Sequence, residues 1–215
     1  MCILIRFSFI AALTLWGFGT PAAAQTFEAC SPHQAEVAGT ALRQAKDLTL
    51  KAASLVGDTP EYERWFGRYS AANAEIVRGN LKRLVGAIRD GGIRVRCETT
   101  GFNGCGPGEY ARVFPDQHYV LRVCPGFFGL PALTALEPGT PESDDGTREG
   151  TIVHELSHFT RVGATEDHCY SRTACSRMAG HDAVRAIENA DSYQYFTEDV
   201  TYYSRQPVAG KPATR

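Results

Sequence analysis

The chain has 215 residues, of which 43% are hydrophobic and 21% charged, with a formal net charge of −2 at pH 7. That is enough apolar material for one domain with a genuine core, and it argues against a disordered chain. A charge so near zero, without any run of Lys or Arg, gives no reason to expect nucleic acid or an anionic membrane as partner.

Residues 1–24 differ in character from the rest of the chain. One early charge, Arg6, precedes an apolar stretch from about Phe7 to Phe18, then Pro21 and Ala22-Ala23-Ala24. This is the pattern of a secretory signal peptide cleaved after Ala24, and the apolar run is shorter than the roughly 20 residues a spanning helix needs. No stable membrane insertion is therefore expected, and the mature protein is expected in a periplasm or outside the cell. Removing Cys2 leaves Cys30, Cys97, Cys105, Cys124, Cys169 and Cys175. In an exported chain these point to disulfides, and spacing alone leaves the pairing open. No CxxC pattern suggests a cysteine metal site or a redox centre.

Ser31-Pro32-His33-Gln34 reads as a helix start with a capping box, and Val37, Ala38, Ala41, Leu42, Ala45, Leu48, Ala52 and Leu55 follow at helical spacing. Gly57-Asp58 ends it. A second helix is expected from Thr59-Pro60 to Gly91, on a stripe that includes Trp65, Phe66, Tyr69, Ile76, Val77, Leu81, Leu84 and Ile88. The stretches 93–97, 110–114 and 118–124 are short and β-branched with turn residues between them, so a small, mostly antiparallel sheet is expected. Residues 137–149 are polar and rich in breakers, hence a loop. A helix is expected from about Thr147 to Thr160, and helix again through residues 183–205, with 205–215 a flexible tail. The stripe Tyr193, Tyr195, Phe196, Tyr202 and Tyr203 reads as core packing, with Tyr193 a candidate for a cleft wall.

The chemistry concentrates in "GTIVHELSHFTRVGATEDHCY", residues 150–170. His154, Glu155 and His158 form HExxH on the expected helix. Residues four apart share a face, so both imidazoles can meet one ion, while Glu155 projects beside them toward a water on that ion. A catalytic zinc site needs a third protein ligand and an open position. Beyond Gly163 the chain offers Asp167 and, three residues later, Tyr170.

HExxH followed by Thr165, Asp167 and Tyr170 resembles the aspzincins, the deuterolysins and peptidyl-lysine metalloendopeptidases. The segments "PEYERWFGRYS" (60–70) and "NADSYQYF" (189–196) look like the family's segments before the sheet and after the metal site. The sequence departs from the family pattern at Ala164 and Ser171, where Gly is usual. The resemblance implies an α+β zincin-like fold over residues 25–204, with N-terminal helices, the small sheet, an HExxH helix, C-terminal helices and disulfide staples. It implies Cys30–Cys97 and Cys105–Cys124, with Cys169 and Cys175 the remaining pair. It further implies one zinc per chain held by His154, His158 and Asp167, with Glu155 as general base and Tyr170 as hydrogen-bond donor to the oxyanion. His168 is expected in solvent or in support of the ligands.

The implied activity is hydrolysis of internal peptide bonds in a protein or peptide substrate, by a protein expected to be a monomer. In the peptidyl-lysine branch two acids receive a lysine ammonium. The matching positions here are Asp191 and Gln194, so a preference for Lys or Arg on the amine side of the cut, weaker than a strict lysine cutter's, is expected. The other role for Asp191 is a helix N-cap. A zinc amidase acting on cell-wall peptides shares every ligand, and an inactive zincin-fold binding protein would lack the base that Glu155 supplies.

Overall fold

The computed structural model describes residues 25–90, 92–102, 104–137 and 146–203. The expected leader, the C-terminal tail and most of the loop before residue 146 lie outside these residues.

Helix α1 (Pro32–Leu55) starts on the expected capping box: Ser31 Oγ accepts from the Gln34 N–H and Gln34 Oε1 accepts from the Ser31 N–H. Its buried face is mostly alanine, with Ala38, Ala41, Ala45, Ala52 and Ala53. It packs against the next long helix and against two later helices that carry the candidate site.

The expected second helix is two helices, α2 (Pro60–Phe66) and α3 (Ala71–Asp90). The break falls at Gly67, whose φ is +75°. A Cβ there would lie 2.6 Å from the Ala179 carbonyl oxygen and 2.8 Å from Ala183 Cβ. A C-terminal segment passes so close that only glycine fits, and the chain turns without interrupting the apolar stripe. Trp65 and Phe66 point to the C-terminal helices, while Ala74, Val77, Leu81 and Leu84 face the core.

The sheet has four strands, β1 (Thr26–Glu28), β2 (Arg94–Cys97), β3 (Ala111–Arg112) and β4 (Val120–Val123), in the order β1-β2-β4-β3. The expectation of a mostly antiparallel sheet is corrected: β1–β2 and β2–β4 run parallel, and β3–β4 is antiparallel. The connections explain it. Three helices carry the chain from β1 back to the start of β2, a crossover that makes parallel pairing. A short turn joins β3 to β4 and reverses the chain. In β2 the pleat alternates, Val95 and Cys97 inward and Arg94 and Arg96 outward.

Helices α4 (Arg148–Ser157), α5 (Arg172–Ala179), α6 (Ala183–Ile187) and α7 (Ala190–Thr201) complete the fold, and α1 packs on both α4 and α7. The expected unbroken helix after residue 183 is interrupted at Glu188-Asn189, where the Glu166 strand bridge crosses. Every residue of α7 is buried, including Asp191, Gln194, Glu198 and Asp199. Buried polar side chains need partners, and this helix finds them in the site. Disulfides join Cys30 to Cys97, Cys105 to Cys124 and Cys169 to Cys175. No helix among the described residues is long and apolar enough to cross a membrane.

Candidate active site

Helix α4 opens on Thr147, whose hydroxyl accepts from the Gly150 N–H at 2.9 Å. Gly150 has no room for a side chain, because Glu198 Oε1 and the Gln194 side chain fill the place of its Cβ. The helix therefore lies directly on α7. It ends at Ser157, a turn earlier than expected, and His158 is its C-cap. The backbone of His158 is still helical, at φ −67° and ψ −26°, so the four-residue spacing of the imidazoles holds. Ser157 Oγ then meets Thr165 Oγ1 at 2.6 Å, and the Gly163 N–H donates to the Ser157 carbonyl. These bonds fold the chain back and bring Asp167 in front of α4.

Three ligand atoms converge. His154 Nε2 lies 3.2 Å from His158 Nε2, and Asp167 Oδ1 lies 3.3 Å from the first and 3.5 Å from the second. A tetrahedral ion bound at about 2.0–2.1 Å holds its ligand atoms about 3.3 Å apart. The outer nitrogens fix the tautomers: His154 Nδ1 donates to Asp191 Oδ1 at 2.7 Å, and His158 Nδ1 donates to the Thr165 carbonyl at 2.7 Å. Both Nε2 atoms of the neutral rings then carry lone pairs that face one another and a carboxylate. Such a donor set repels itself until a cation sits within it, so these residues fit zinc.

In the metal-free protein a proton takes the cation's place between these groups. Burial works against a charged His154, but hydrogen bonds with Asp167 and Asp191 and the charge of Glu155 lift its pKa to about 10. The same hydrogen bond and both imidazoles hold Asp167 below the usual carboxylate range against the opposite push of burial. Glu155 is buried beside the ligands, Oε1 4.0 Å from His154 Nε2, and burial raises its pKa. The Tyr170 ring stacks at 6.5 Å from His154 and its hydroxyl donates to Asp167; partial burial and the Asp167 charge push the phenol up to about 12.

These residues floor a cleft of about 650 Å³. One wall is the edge strand β3 with the loop before it, including Glu109, Tyr110 and Arg112; the other is formed by Asp167, Tyr170, Ser171, Asp191, Gln194 and Tyr195. Among the described residues, five carboxylates (Glu109, Glu155, Glu166, Asp167 and Asp191) line it against a single guanidinium, Arg112.

Two expected roles, those of Asp191 and Tyr193, come out differently. Asp191 is neither an N-cap nor a free acid: one oxygen takes the His154 Nδ1–H and the other the Ser171 N–H at 3.1 Å. Tyr193 does not line the cleft; its hydroxyl accepts from Asn80 Nδ2 at 2.7 Å and its ring packs edge-on to Phe66. His168 lies away from the ligands, near Glu188 and Arg185. Gln194 does reach the cleft. Sequence reasoning missed Asn189, whose Oδ1 accepts from the N–H groups of His168 and Cys169 at 2.9 and 3.1 Å and so shapes the Asp167 loop. It missed Arg172 as well. Neither carries a local signal, although three acids and an amide on one expected helix, Asp191, Gln194, Glu198 and Asp199, call for partners elsewhere.

A model of the aspzincin family, described as lysine-specific metallo-endopeptidase, matches residues 51–198. The chain is 34% identical over 138 residues to an extracellular protease of Aeromonas hydrophila, covering 64% of this chain and 35% of that protein. It is 29% identical over 179 residues to a peptidyl-Lys metalloendopeptidase of Pleurotus ostreatus, covering 81% of this chain and 96% of that one. The solved zinc peptidase from Grifola frondosa superposes with a TM-score of 0.66 at 26% identity, over 80% of this chain and 99% of that chain. The chain spans about a third of the length of the Aeromonas protein, and 47% of that of a peptidyl-Lys metalloendopeptidase from Grifola frondosa. The chain belongs to the aspzincin family, a family of zinc metalloendopeptidases.

Proposed function

We propose that the chain is an exported zinc metalloendopeptidase that hydrolyses internal peptide bonds, with residues 1–24 as leader and 25–204 as the catalytic domain. The observation that carries this reading is the triangle of His154, His158 and Asp167 donors with a buried carboxylate beside it. One zinc per chain would be held by these three residues. When bound, it supplies Lewis acidity to a peptide carbonyl and to a water molecule.

The protein's own groups do the rest. Glu155, its proton affinity raised by burial, takes the proton of the attacking water and passes it to the leaving amine. Tyr170 turns its hydroxyl to the carbonyl oxygen as negative charge develops there. The outer edge of β3 offers backbone groups to an extended substrate, the usual use of an exposed sheet edge beside a cleft.

For specificity, the surplus of carboxylates attracts basic side chains. Asp191, however, is occupied by His154 and Ser171, and Gln194 adds no charge. The reading is a mild preference for Lys or Arg on the amine side of the scissile bond. Digestion of casein with and without a chelator, followed by sequencing of the cut sites, tests both parts. Absence of cleavage would overturn the peptidase reading, and cleavage that ignores the chelator its dependence on a metal; cut sites without basic enrichment would overturn the preference.

A further inference from the structure

Tyr170 is 63% exposed, and beyond its ring's stacking on His154 and its hydroxyl's bond to Asp167 little packing fixes it. Its place depends on the backbone around it. Upstream, Asn189 holds the two preceding N–H groups. Downstream, Ser171 adopts φ +76° and ψ +150°, a region that strains a non-glycine residue and persists only where the surroundings enforce it.

Two anchors enforce it: the Ser171 N–H donates to Asp191 Oδ2 at 3.1 Å, and the next residue is fixed in the core. The Arg172 guanidinium enters the core, with Nη1 2.7 Å from Asp199 Oδ1 and Nη2 2.6 Å from Glu198 Oε2. Its Cζ lies 4.5 Å from the Tyr195 ring centroid and 5.6 Å from that of Trp65. Asp199 is anchored in turn by Trp65 Nε1 at 2.9 Å. The other oxygen of Glu198 accepts from Thr147 Oγ1 at 2.9 Å, and Thr147 is the N-cap of α4. One buried carboxylate thus ties the turn bearing Tyr170 to the helix bearing His154 and Glu155.

Building on the proposed peptidase reading, we propose that Arg172 is a positioning residue for catalysis: through Glu198 and Thr147 it locks the Ser171 turn to α4 and so sets where the Tyr170 hydroxyl stands. The guanidinium and its two carboxylates are buried, and a planar fork that reaches both at once is what lysine cannot reproduce. The role differs from plain structural support in one respect. Its catalytic effect must run through Tyr170.

The test is a double-mutant cycle on the zinc-loaded protein with Arg172→Lys, Tyr170→Phe and the double variant, reading kcat and KM on a fluorogenic peptide. Arg172→Lys is expected to lower kcat by roughly 10- to 100-fold, as a displaced group of about an ångström does, with KM little changed. In the Tyr170→Phe background the same change should cost less than about threefold, because neighbours acting through one group are not additive. A second readout needs no activity: in the metal-free protein, hydrogen exchange of the Ser171 amide should quicken about tenfold in Arg172→Lys. Should that variant not fold, Glu198→Gln takes its place in both measurements, keeping the volume and the Thr147 contact while weakening the grip on Arg172. Equal kcat losses in both backgrounds, or unchanged exchange, overturn the positioning role alone. A zinc-loaded wild type that cleaves nothing overturns the peptidase reading instead.

Discussion

Replacing Asp191 by Asn separates two roles that the same side chain could play. Its carboxylate receives two N–H groups, His154 Nδ1–H at 2.7 Å and Ser171 N–H at 3.1 Å, from a nearly buried position. Asn keeps the shape but has one acceptor oxygen for two donors, so one bond is lost and its NH2 faces an N–H. If the ring of His154 loses its partner, zinc affinity should fall about 10- to 100-fold, the usual cost of removing a carboxylate behind a metal-bound histidine. That equals roughly 1.4–2.7 kcal/mol of binding free energy. The buried N–H left without an acceptor adds about 1–3 kcal/mol of lost stability in the metal-free protein.

Competition with a chromophoric chelator measures the affinity, and urea denaturation of the metal-free protein measures the stability. Peptides with Lys or Ala after the scissile bond should lose activity in parallel at limiting zinc and recover together at saturating zinc. An acid that received the substrate ammonium would behave otherwise, losing the Lys peptide selectively and leaving zinc binding intact. Zinc affinity within about twofold of wild type would refute the positioning argument.

Glu155→Gln should bind zinc and melt as the wild type does, while kcat falls at least about 100-fold, the scale of a lost general base; retained turnover would remove Glu155 from the mechanism. Tyr170→Phe should lower kcat about 100-fold with little change in KM, as for one oxyanion donor removed, and a pure KM effect would assign the ring to substrate binding. Ser171→Gly should leave stability unchanged or raise it by up to about 2 kcal/mol: relief of about 1–3 kcal/mol of backbone strain is set against the few tenths lost with the cap to Ala174 and the ~0.5–1 kcal/mol of added chain entropy. Urea denaturation reads this one, and a loss of stability of about 1 kcal/mol or more would show that the turn is not strained.

The features legible in the sequence are those the chain determines locally. The start of α1 follows from Ser31 and Gln34, and the imidazole pair follows from helical spacing. Asp167 and Tyr170 are legible through resemblance to the aspzincins, since nothing in the stretch between Ser157 and Asp167 dictates that it folds back onto the helix. Strand direction is not legible, because short β-branched runs say nothing about it; here it comes from the three-helix crossover before β2. Gly67 splits a helix for a reason carried by Ala179 and Ala183, more than a hundred residues away. Asp191 reads as a substrate-binding acid in the sequence because its partners, His154 and Ser171, are brought to it only by the packing of α4 on α7.

That packing is where fold and chemistry meet. Residues 191, 194 and 198 recur at helical spacing, so α7 presents one polar face to α4, and each position does a different job there. Asp191 orients His154, Gln194 reaches the cleft, and Glu198 joins the cap of α4 to Arg172. The glycine at position 150 lets the two helices come close enough for all three. An apolar α7 of equal volume would bury more hydrocarbon and leave His154 free to turn and the Tyr170 loop free to drift. The buried charges cost desolvation, and what they supply in return is a fixed distance between the ligand helix and the oxyanion donor. Loss of catalytic geometry, ahead of loss of folding, is therefore the expected first consequence of loosening this interface.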